Sequence, residues 1–259
     1  MTNLQFEKSA IDAGGCVSNA WDFLKPNYWL YFGVCLVGFI MAGCIPCVSL
    51  FLIGPILGGI FFVIDRGMRG EPTDFGMLFR GFDKFVPLMV IGLIQSIPEV
   101  IGQGIRLTAD LGRLGLDGAT RHGDFYQITY DAFPFGIAGG MIVVLLIVAG
   151  VFIIFGIVWK ILFFFAIPLA MEHDLGAIDA IKLSARAAMA NVGGLVLLII
   201  FEGLIQLLGL LMACFGYFFV LPIVYAANVF AYRQVFPMFE RGFRNEPPSP
   251  DAYGSFGRV

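Results

Sequence analysis

A run of 39 uncharged residues between Lys25 and Asp65 is the strongest constraint on how this chain folds. A membrane-spanning helix needs about 20 mostly apolar residues, because it rises about 1.5 Å per residue through a hydrocarbon core about 30 Å thick. The run is too long for one crossing and long enough for two, with a turn near residues 43–47. It therefore predicts one membrane helix over 28–45 and a second over 48–65.

The rest of the chain continues this pattern. Apolar segments predict a third helix over 85–105, a fourth beginning near Phe135, and two more over 192–213 and 216–236. Of the 259 residues, 59% are apolar and only 14% are charged, whereas ordinary soluble domains are about 25% charged. This composition excludes a soluble enzyme and a disordered chain, and the net charge of -3 argues against a nucleic-acid partner.

Residues 132–170 are interrupted only by Lys160, and they fit either one long helix or a hairpin of two. Short cytoplasmic loops are enriched in Lys and Arg, so the distribution of these residues distinguishes the two. Of the 16 Lys and Arg residues, one helix places 12 in the cytoplasm, three outside and Lys160 in the membrane, whereas a hairpin gives 6 inside and 9 outside. One helix is the better interpretation. We therefore expect six crossings of the inner (plasma) membrane, with both termini in the cytoplasm and no cleaved signal peptide.

Three amphipathic segments accompany the membrane helices: 6–24, 72–85 and 174–190, the last opened by Asp174. Their apolar spacing predicts interfacial helices on the cytoplasmic leaflet, either sealing the rim of the bundle or binding a partner. The apolar face of the first is Phe6, Ala10, Ala13, Val17, Trp21 and Leu24. The polar loop 106–134 is expected outside. Residues 1–240 form one membrane domain, and the Pro-rich tail 241–259 is expected to be disordered in the cytoplasm.

Residues 10–66 align with residues 177–233 at one constant offset of 167, without gaps. The matches include residues 10–13 on 177–180, Pro55 on Pro222 and Arg66 on Arg233. Each unit comprises an interfacial helix, a crossing outward and a crossing back, so the repeat is parallel, with an inserted pair of helices over 85–170. The fold class is therefore all-α and polytopic. Such a repeat either places a functional site between its copies or serves packing alone.

Several short motifs lie at the borders of these helices. They are the run at 20–28, Gly54-Pro55 with Gly58-Gly59, Arg69-Gly70-Glu71 before residues 78–82, and Ala180 with Ser184 and Asn191. In these motifs the chain resembles a group of bacterial six-helix integral membrane proteins that is similar to the membrane region attached to some glycerophosphodiester phosphodiesterases. The group has no agreed activity. The resemblance therefore implies a fold and a location, and it carries no site residues.

Charged side chains near the middle of a membrane helix are costly, and they usually mark function or a packed pair. Glu202 and Lys160 both lie about ten residues from the inner ends of their helices, so their depths match. Gln206 follows Glu202 by four residues, and Gln95 and Glu99 repeat that spacing, which keeps each pair on one helix face. We expect Glu202 and Lys160 to pair, with the other three lining a polar seam. The seam is either a pathway or pocket for a small solute, a proton or a lipid headgroup, or a polar clasp that fixes the helix register.

The cysteines allow a different interpretation. Cys44 and Cys47 form a C-x-x-C at the outer turn of the first hairpin, and the repeat places Cys214 at the equivalent turn. In an oxidising compartment these thiols are candidates for a membrane thiol oxidoreductase, although the outer loop lacks the second cysteine pair of such a relay. The alternatives are small packing residues or one structural disulfide.

The remaining expectations concern motion, ligands and partners. Pro55 and Pro222 lie inside the second and sixth helices. Each leaves a backbone carbonyl one turn earlier without its donor and kinks the helix, either as a hinge or as a fixed bend.

No motif for a metal, a cofactor or hydrolytic catalysis is present in the sequence. We therefore expect a membrane protein that is not an enzyme, whose partners are membrane lipids and either further copies of itself or a larger membrane complex. It either passes or binds a small or lipid-like molecule or serves as a structural subunit.

Overall fold

A computed structural model describes residues 6–43, 46–119, 135–212 and 215–237. Within these ranges every regular element is helical. The α-helices are α1 Ala13–Leu24, α2 Tyr28–Gly43, α3 Pro46–Met68, α4 Phe85–Gln95, α5 Ile97–Ala119, α6 Phe135–Phe163, α7 Ala166–His173, α8 Ala177–Ala190, α9 Val192–Leu211 and α10 Phe215–Val235. Two 3₁₀ segments, Lys25–Asn27 and Phe75–Lys84, precede α2 and α4.

Five helical stretches in the described ranges are long and apolar enough to cross a membrane. They are Ala13–Gly43, Leu50–Met68, Leu146–His173, Val192–Leu211 and Gly216–Val235. A sixth candidate consists of Phe75–Gln95 and Ile97–Thr108, which pass the same test together but are bent by 49°. The described residues therefore include the helices for five crossings, or for six if the bent pair is one span.

The bounds of several helices agree closely with those predicted from the apolar runs. The helices predicted over 28–45, 192–213 and 216–236 are Tyr28–Gly43, Val192–Leu211 and Phe215–Val235. The segment 132–170 contains no hairpin over its described part, because α6 runs without a break from Phe135 to Phe163. The expected loop 106–134 is wrong in its first half, since α5 extends to Ala119. Residues 120–134 and the tail from 238 lie outside the described residues.

The first amphipathic segment is helical only from Ala13, and its buried face differs from the predicted one. Ala13, Cys16, Ala20 and Leu24 are fully buried, whereas Trp21 is 45% exposed. The buried residues follow the same 3–4 spacing as the predicted face, but the helix is rotated. Small residues contact α10, because Ala and Cys allow two helices to approach closely. The helix thus packs into the bundle, and a 3₁₀ turn at Pro26 joins it to α2.

Asp174 does not open the third amphipathic segment as predicted. It ends α7 in the left-handed conformation, with φ of 51°, and α8 begins after Gly176. Asp tolerates this region better than most residues because its short side chain bonds locally. The interruption between α6 and α7 is stabilised from α8, where Ser184 Oγ donates to the Leu162 carbonyl at 2.8 Å and accepts from the Phe165 N–H at 3.1 Å.

Asn191, at the junction of α8 and α9, holds the segment that precedes α1. Its amide donates to the Glu7 carbonyl at 3.0 Å, and its oxygen accepts from the Ala10 N–H at 3.0 Å. Asn191 is 3% exposed, so these bonds satisfy a side-chain amide that has little access to solvent. Together with the backbone hydrogen bond from the Glu7 N–H to the Val235 carbonyl, they tie the start of the described chain to the second half of the bundle.

Two glycines of α3 allow neighbouring backbone to approach unusually closely. A Cβ atom at Gly54 would collide with the carbonyl oxygen of Leu88, and one at Gly59 with that of Leu78. The 3₁₀ segment and α4 therefore lie directly on the α3 backbone. Close packing of this kind is what small residues provide in membrane helices.

Helix α6 differs from the others because most of its described surface is uncovered. Leu146, Ile147, Val151, Ile153 and Ile154 are each 61–66% exposed, although they point to different sides of the helix. Packing begins only near its C-terminal end, where Ile161 is 5% exposed. The part of α6 before residue 155 therefore projects from the bundle, and its described apolar side chains are exposed on every side of the helix.

Candidate functional site

A cavity of about 470 Å³ lies among α3, the break between α4 and α5, the C-terminal half of α6, and α10, with smaller contributions from α7 and α9. Its walls are largely aliphatic and aromatic, with a limited set of polar side chains. The polar and aromatic lining residues are Phe61, Gln95, Ser96, Glu99, Trp159, Lys160, Phe164, Gln206, Tyr217, Tyr225 and Asn228. Cavities of 300–1,000 Å³ with apolar walls and a few polar groups are typical of small-molecule sites.

The break between α4 and α5 has an identifiable chemical cause. Pro98 lacks an N–H, so it cannot donate to the carbonyl of Ile94 one turn earlier. That carbonyl instead accepts a hydrogen bond from Trp159 Nε1 on α6, at 3.2 Å. Ser96 fills the break itself, with its hydroxyl donating to the Leu93 carbonyl at 2.9 Å. The predicted third helix of 85–105 is therefore two helices, and the bend brings Gln95 and Glu99 to the cavity.

Lys160 on α6 and Glu202 on α9 form an ion pair, with 3.0 Å between Nζ and Oε2. The two partners differ sharply in environment, since the side chain of Lys160 is 47% exposed and that of Glu202 is 1% exposed. A carboxylate buried to this extent needs a paired cation or a proton, because isolated burial of the charge is very costly. Lys160 lines the cavity, and Glu202 lies behind it.

Three buried oxygen atoms around this site accept no hydrogen bond from any described residue. They are Gln95 Oε1, Asn228 Oδ1 and the second carboxylate oxygen of Glu202, Oε1. Buried polar atoms are almost always paired in folded proteins, so each such atom requires an explanation. Gln95 and Asn228 line one cavity, where a bound molecule or water would supply their donors, whereas the carboxylate of Glu202 is buried behind the cavity wall.

The structure thus gathers four of the five predicted seam residues, Gln95, Glu99, Lys160 and Gln206, around the cavity, with Glu202 paired to one of them. Sequence reasoning missed Asn228, Ser96 and the aromatic side chains. Tyr225 and Asn228 are three residues apart on α10, which places them on one helix face. The sequence signal that would have predicted Asn228 as a lining residue is its position, on the same face as Tyr225 and inside an otherwise apolar helix.

Sequence reasoning also missed a cluster of charges at the C-terminal ends of α3, α7 and α10. This charged cluster consists of Asp65, Arg69, Glu172, Tyr232 and Arg233. Arg233 Nη1 contacts both oxygens of Glu172, at 2.8 and 2.9 Å, and its Nε donates to Asp65 at 2.6 Å. Tyr232 donates to Glu172 at 2.6 Å, and Arg69 contacts Asp65 at 2.8 Å and Glu172 at 3.1 Å. Two cations balance two anions, and planar guanidinium groups suit such multidentate contacts.

The charged cluster lies within one helical turn of the cavity. Ile64, Pro168 and Val229 line the cavity, and each precedes a cluster residue by one to four positions on the same helix. The cluster therefore joins the three helices next to one end of the cavity.

Beside this cluster, Lys84 joins the end of the 3₁₀ segment to the end of α7. Its ammonium donates to the Met171 carbonyl at 2.6 Å and contacts Asp174 at 2.5 Å. The hydrogen bond and the positive charge of Lys84 hold the pKa of Asp174 below its ordinary value. A cation near a helix C-terminus also interacts favourably with the free carbonyls there.

The predicted redox residues fall mostly beyond what the structure describes. Cys44 and Cys214 lie outside the described residues, and Cys47 is in the first turn of α3, where its side chain is not described. Cys16 and Cys35 are buried free thiols. Within the described ranges, no group of three or more His, Cys, Asp or Glu side chains is arranged to hold a metal ion.

The two predicted hinge prolines lie inside helices that continue through them. Pro55 is inside α3 and Pro222 is inside α10, and neither helix is interrupted. Neither proline lines the cavity, although both helices do. Their role as hinges stays a prediction.

Comparisons of the chain with models of protein families, with curated proteins and with solved structures found no match. The resemblance to six-helix bacterial membrane proteins therefore stays a prediction. The cavity and the residues around it are the basis on which a function can be proposed.

Proposed function

We propose that this chain is an integral membrane protein that binds a small or lipid-like molecule in the cavity between α3, α4–α5, α6 and α10, and passes it across or along the bilayer. The observation that carries the proposal is the cavity of about 470 Å³, whose apolar walls hold a sparse set of unsatisfied polar groups. A structural clasp would bury such groups in mutual hydrogen bonds, since an unsatisfied buried polar atom costs about 1–3 kcal/mol. Groups held ready for a ligand remain unsatisfied until it binds.

The proposal includes six crossings of the inner membrane, with the bent pair α4–α5 as one of them. The charge distribution supports this, because six crossings leave 12 Lys and Arg on the cytoplasmic side and three outside. Both termini are then cytoplasmic, and the charged cluster forms the cytoplasmic end of the cavity. Non-helical backbone is tolerated at membrane depth where it lines a cavity, which is the situation of Ser96.

We also propose that the bundle is a parallel repeat. Adding the sequence offset of 167 to the bounds of α2, Tyr28–Gly43, gives 195–210, within α9, and α3 maps similarly onto α10. Two aligned pairs, Ala13 with Ala180 and Ala20 with Ala187, are all fully buried. The equivalents of Glu202 and Asn228 are Cys35 and Phe61. At these two positions the polar side chain therefore occurs only in the second copy, as expected if only one copy kept the binding role.

Two glycines of α6 provide a matched test of this function. A Cβ atom added at Gly156 or at Gly150 would meet no other atom within 4 Å, but only Gly156 lines the cavity. Gly156→Phe fills the cavity, whereas Gly150→Phe places the same ring on the outer surface of the helix.

The wild type and the two variants are purified in native nanodiscs, and co-purifying small molecules are identified by mass spectrometry. We expect one species to be enriched with the wild type and with Gly150→Phe, and lost with Gly156→Phe. Equal recovery from all three proteins would contradict the proposal.

A structural subunit is the second candidate, and the uncovered surface of α6 favours it. Residues such as Leu146 and Ile154 are more than 60% exposed on different sides of the helix, which is a surface suited to a neighbouring chain as well as to lipid. Native mass spectrometry from nanodiscs distinguishes the candidates. A defined oligomer or complex that Gly156→Phe leaves intact, with no co-purifying small molecule, would favour the structural role.

A thiol oxidoreductase stays the third candidate, resting on Cys44, Cys47 and Cys214. Alkylation of native membranes followed by mass spectrometry tests it, because a redox pair alternates between a disulfide and reactive thiols. Thiols at all three positions that stay free and unreactive would remove this candidate.

A further inference from the structure

We propose that the cavity selects a ligand with a cationic, hydrogen-bond-donating headgroup on an apolar chain, of the alkylammonium class; this rests on the proposed function. The balance of charge around the cavity favours a cation. Lys160 is already neutralised by Glu202 at 3.0 Å. Glu99 is exposed at the cavity and has no ion-pair partner in the described part of the chain. The site therefore carries one uncompensated negative charge.

The unsatisfied polar atoms favour a headgroup that donates hydrogen bonds. Gln95 Oε1 and Asn228 Oδ1 belong to lining residues, and both are acceptors that are buried without a donor in the described part of the chain. A primary ammonium carries three N–H donors and no acceptor. An anionic headgroup offers only acceptors, so it would leave these two oxygens unpaired and add a second negative charge beside Glu99.

The walls of the cavity suit both ends of such a ligand. Phe61, Trp159, Phe164, Tyr217 and Tyr225 present aromatic rings to the cavity. Aromatic faces attract cations, and the effect grows when the site is shielded from water. The same rings, together with the aliphatic lining, suit an alkyl chain. A ligand that is cationic at one end and apolar along its length therefore matches the charge, the acceptors and the walls.

Trp159 offers a reporter inside the cavity. The chain has three tryptophans, and the other two, Trp21 and Trp29, are 45% and 72% exposed, so Phe can replace both at small cost. The doubly substituted protein is placed in phosphatidylcholine nanodiscs and titrated with three probes of equal chain length: 11-bromoundecylammonium, 11-bromoundecanoate and 11-bromoundecanol. Bromine quenches tryptophan fluorescence on contact, and excess dodecylammonium shows which part of the quenching is saturable.

We expect the ammonium probe to quench Trp159 saturably, with an affinity about tenfold higher than that of the carboxylate or the alcohol, which corresponds to one favourable charge contact. Glu99→Gln should reduce this preference several-fold. Asp83→Asn is the matched control, because it removes the same charge from an exposed surface pair with Arg80, and it should leave the preference unchanged.

The outcomes separate the two proposals. Saturable quenching in which the carboxylate or the alcohol equals or exceeds the ammonium would overturn the ligand class while leaving the cavity as a binding site. An ammonium preference unaffected by Glu99→Gln would also overturn it. Quenching that is not saturable for any probe, and unchanged by Gly156→Phe, would overturn the proposed function as well.

Discussion

Lys160 and Glu202 are 42 residues apart in the chain, and their side chains join α6 to α9 through a contact of 3.0 Å. The contact is unequal, because Glu202 is 1% exposed and Lys160 is 47% exposed. Removal of either partner therefore has a different consequence. This asymmetry is the basis of the first prediction.

Lys160→Met should be much more destabilising than Glu202→Gln. The first substitution leaves a buried carboxylate without its cation, which costs about 3–5 kcal/mol. The second leaves an ammonium that can reach polar surroundings, and we expect a loss of about 1 kcal/mol. The free energy of unfolding in mixed micelles measures both.

The double variant Lys160→Met with Glu202→Gln serves as the control. It should recover much of the stability lost in Lys160→Met, because a neutral pair needs no compensating charge. Additive losses, or a larger loss for Glu202→Gln, would show that the ion pair is not what stabilises the contact between α6 and α9.

The second prediction concerns the bend at Ser96. Trp159 donates to the Ile94 carbonyl, to which Pro98 has no N–H to donate. Trp159→Phe should cost about 1 kcal/mol by removing the side-chain donor to the Ile94 carbonyl. In a Pro98→Ala background the new N–H at position 98 can donate to that carbonyl, so the same substitution should cost much less. A double-mutant cycle on unfolding free energies measures the difference. Equal costs in both backgrounds would mean that the proline does not cause the break.

The charged cluster predicts a strong requirement for a guanidinium at position 233. Arg233→Lys keeps the charge but cannot contact Asp65 and Glu172 in the same planar geometry. Because Arg233 is only 8% exposed, we expect a loss of about 2–3 kcal/mol. Arg80→Lys is the matched control, since its pair with Asp83 is about 60% exposed and should change stability by less than about 0.5 kcal/mol. Thermal unfolding in detergent compares the two, and equal shifts would contradict the assigned role.

Two helical glycines should respond to alanine in opposite directions. Gly59→Ala places a methyl group against the Leu78 backbone carbonyl, so the 3₁₀ segment must move away from α3. We expect a loss of at least about 2 kcal/mol, as for other overpacked sites. Gly203 in α9 has open space at its Cβ position, and Gly203→Ala should be neutral or stabilising by up to about 1 kcal/mol. Melting temperatures of the two variants test this, and a neutral Gly59→Ala would refute the close approach.

The apolar runs predicted most helix bounds well, because the length and hydropathy of a helix that can cross a bilayer are readable without tertiary information. The contact between Lys160 and Glu202 was predictable for the same reason, since positions can be counted from the end of each apolar helix. The break at Ser96 was missed although Pro98 marked it, because the run of apolar residues continues across it. The signal for the bend was a single missing N–H, and hydropathy does not register it.

Other features depend on contacts between distant parts of the chain. The buried face of α1 includes Cys16 and Ala20 and leaves out Trp21, because α10 accepts small side chains and a large ring does not fit. The charged cluster combines ends of α3, α7 and α10, and no spacing within one helix indicates it. Asp is a residue type that often precedes a helix, yet Asp174 ends α7. The same short polar side chain suits both the start of a helix and the left-handed conformation at its end.

The proposed position of the cavity inside the bilayer depends on six crossings, and therefore on whether the bent pair α4–α5 crosses the membrane. Single cysteines at positions 72, 124 and 252, in a variant lacking the five native cysteines, are labelled with a membrane-impermeant maleimide in right-side-out and inverted vesicles. We predict that positions 72 and 252 react from the cytoplasmic face and position 124 from the opposite face. Labelling of positions 72 and 124 from the same face would make the bent pair a re-entrant segment, and would contradict the six-crossing architecture on which the cavity's role depends.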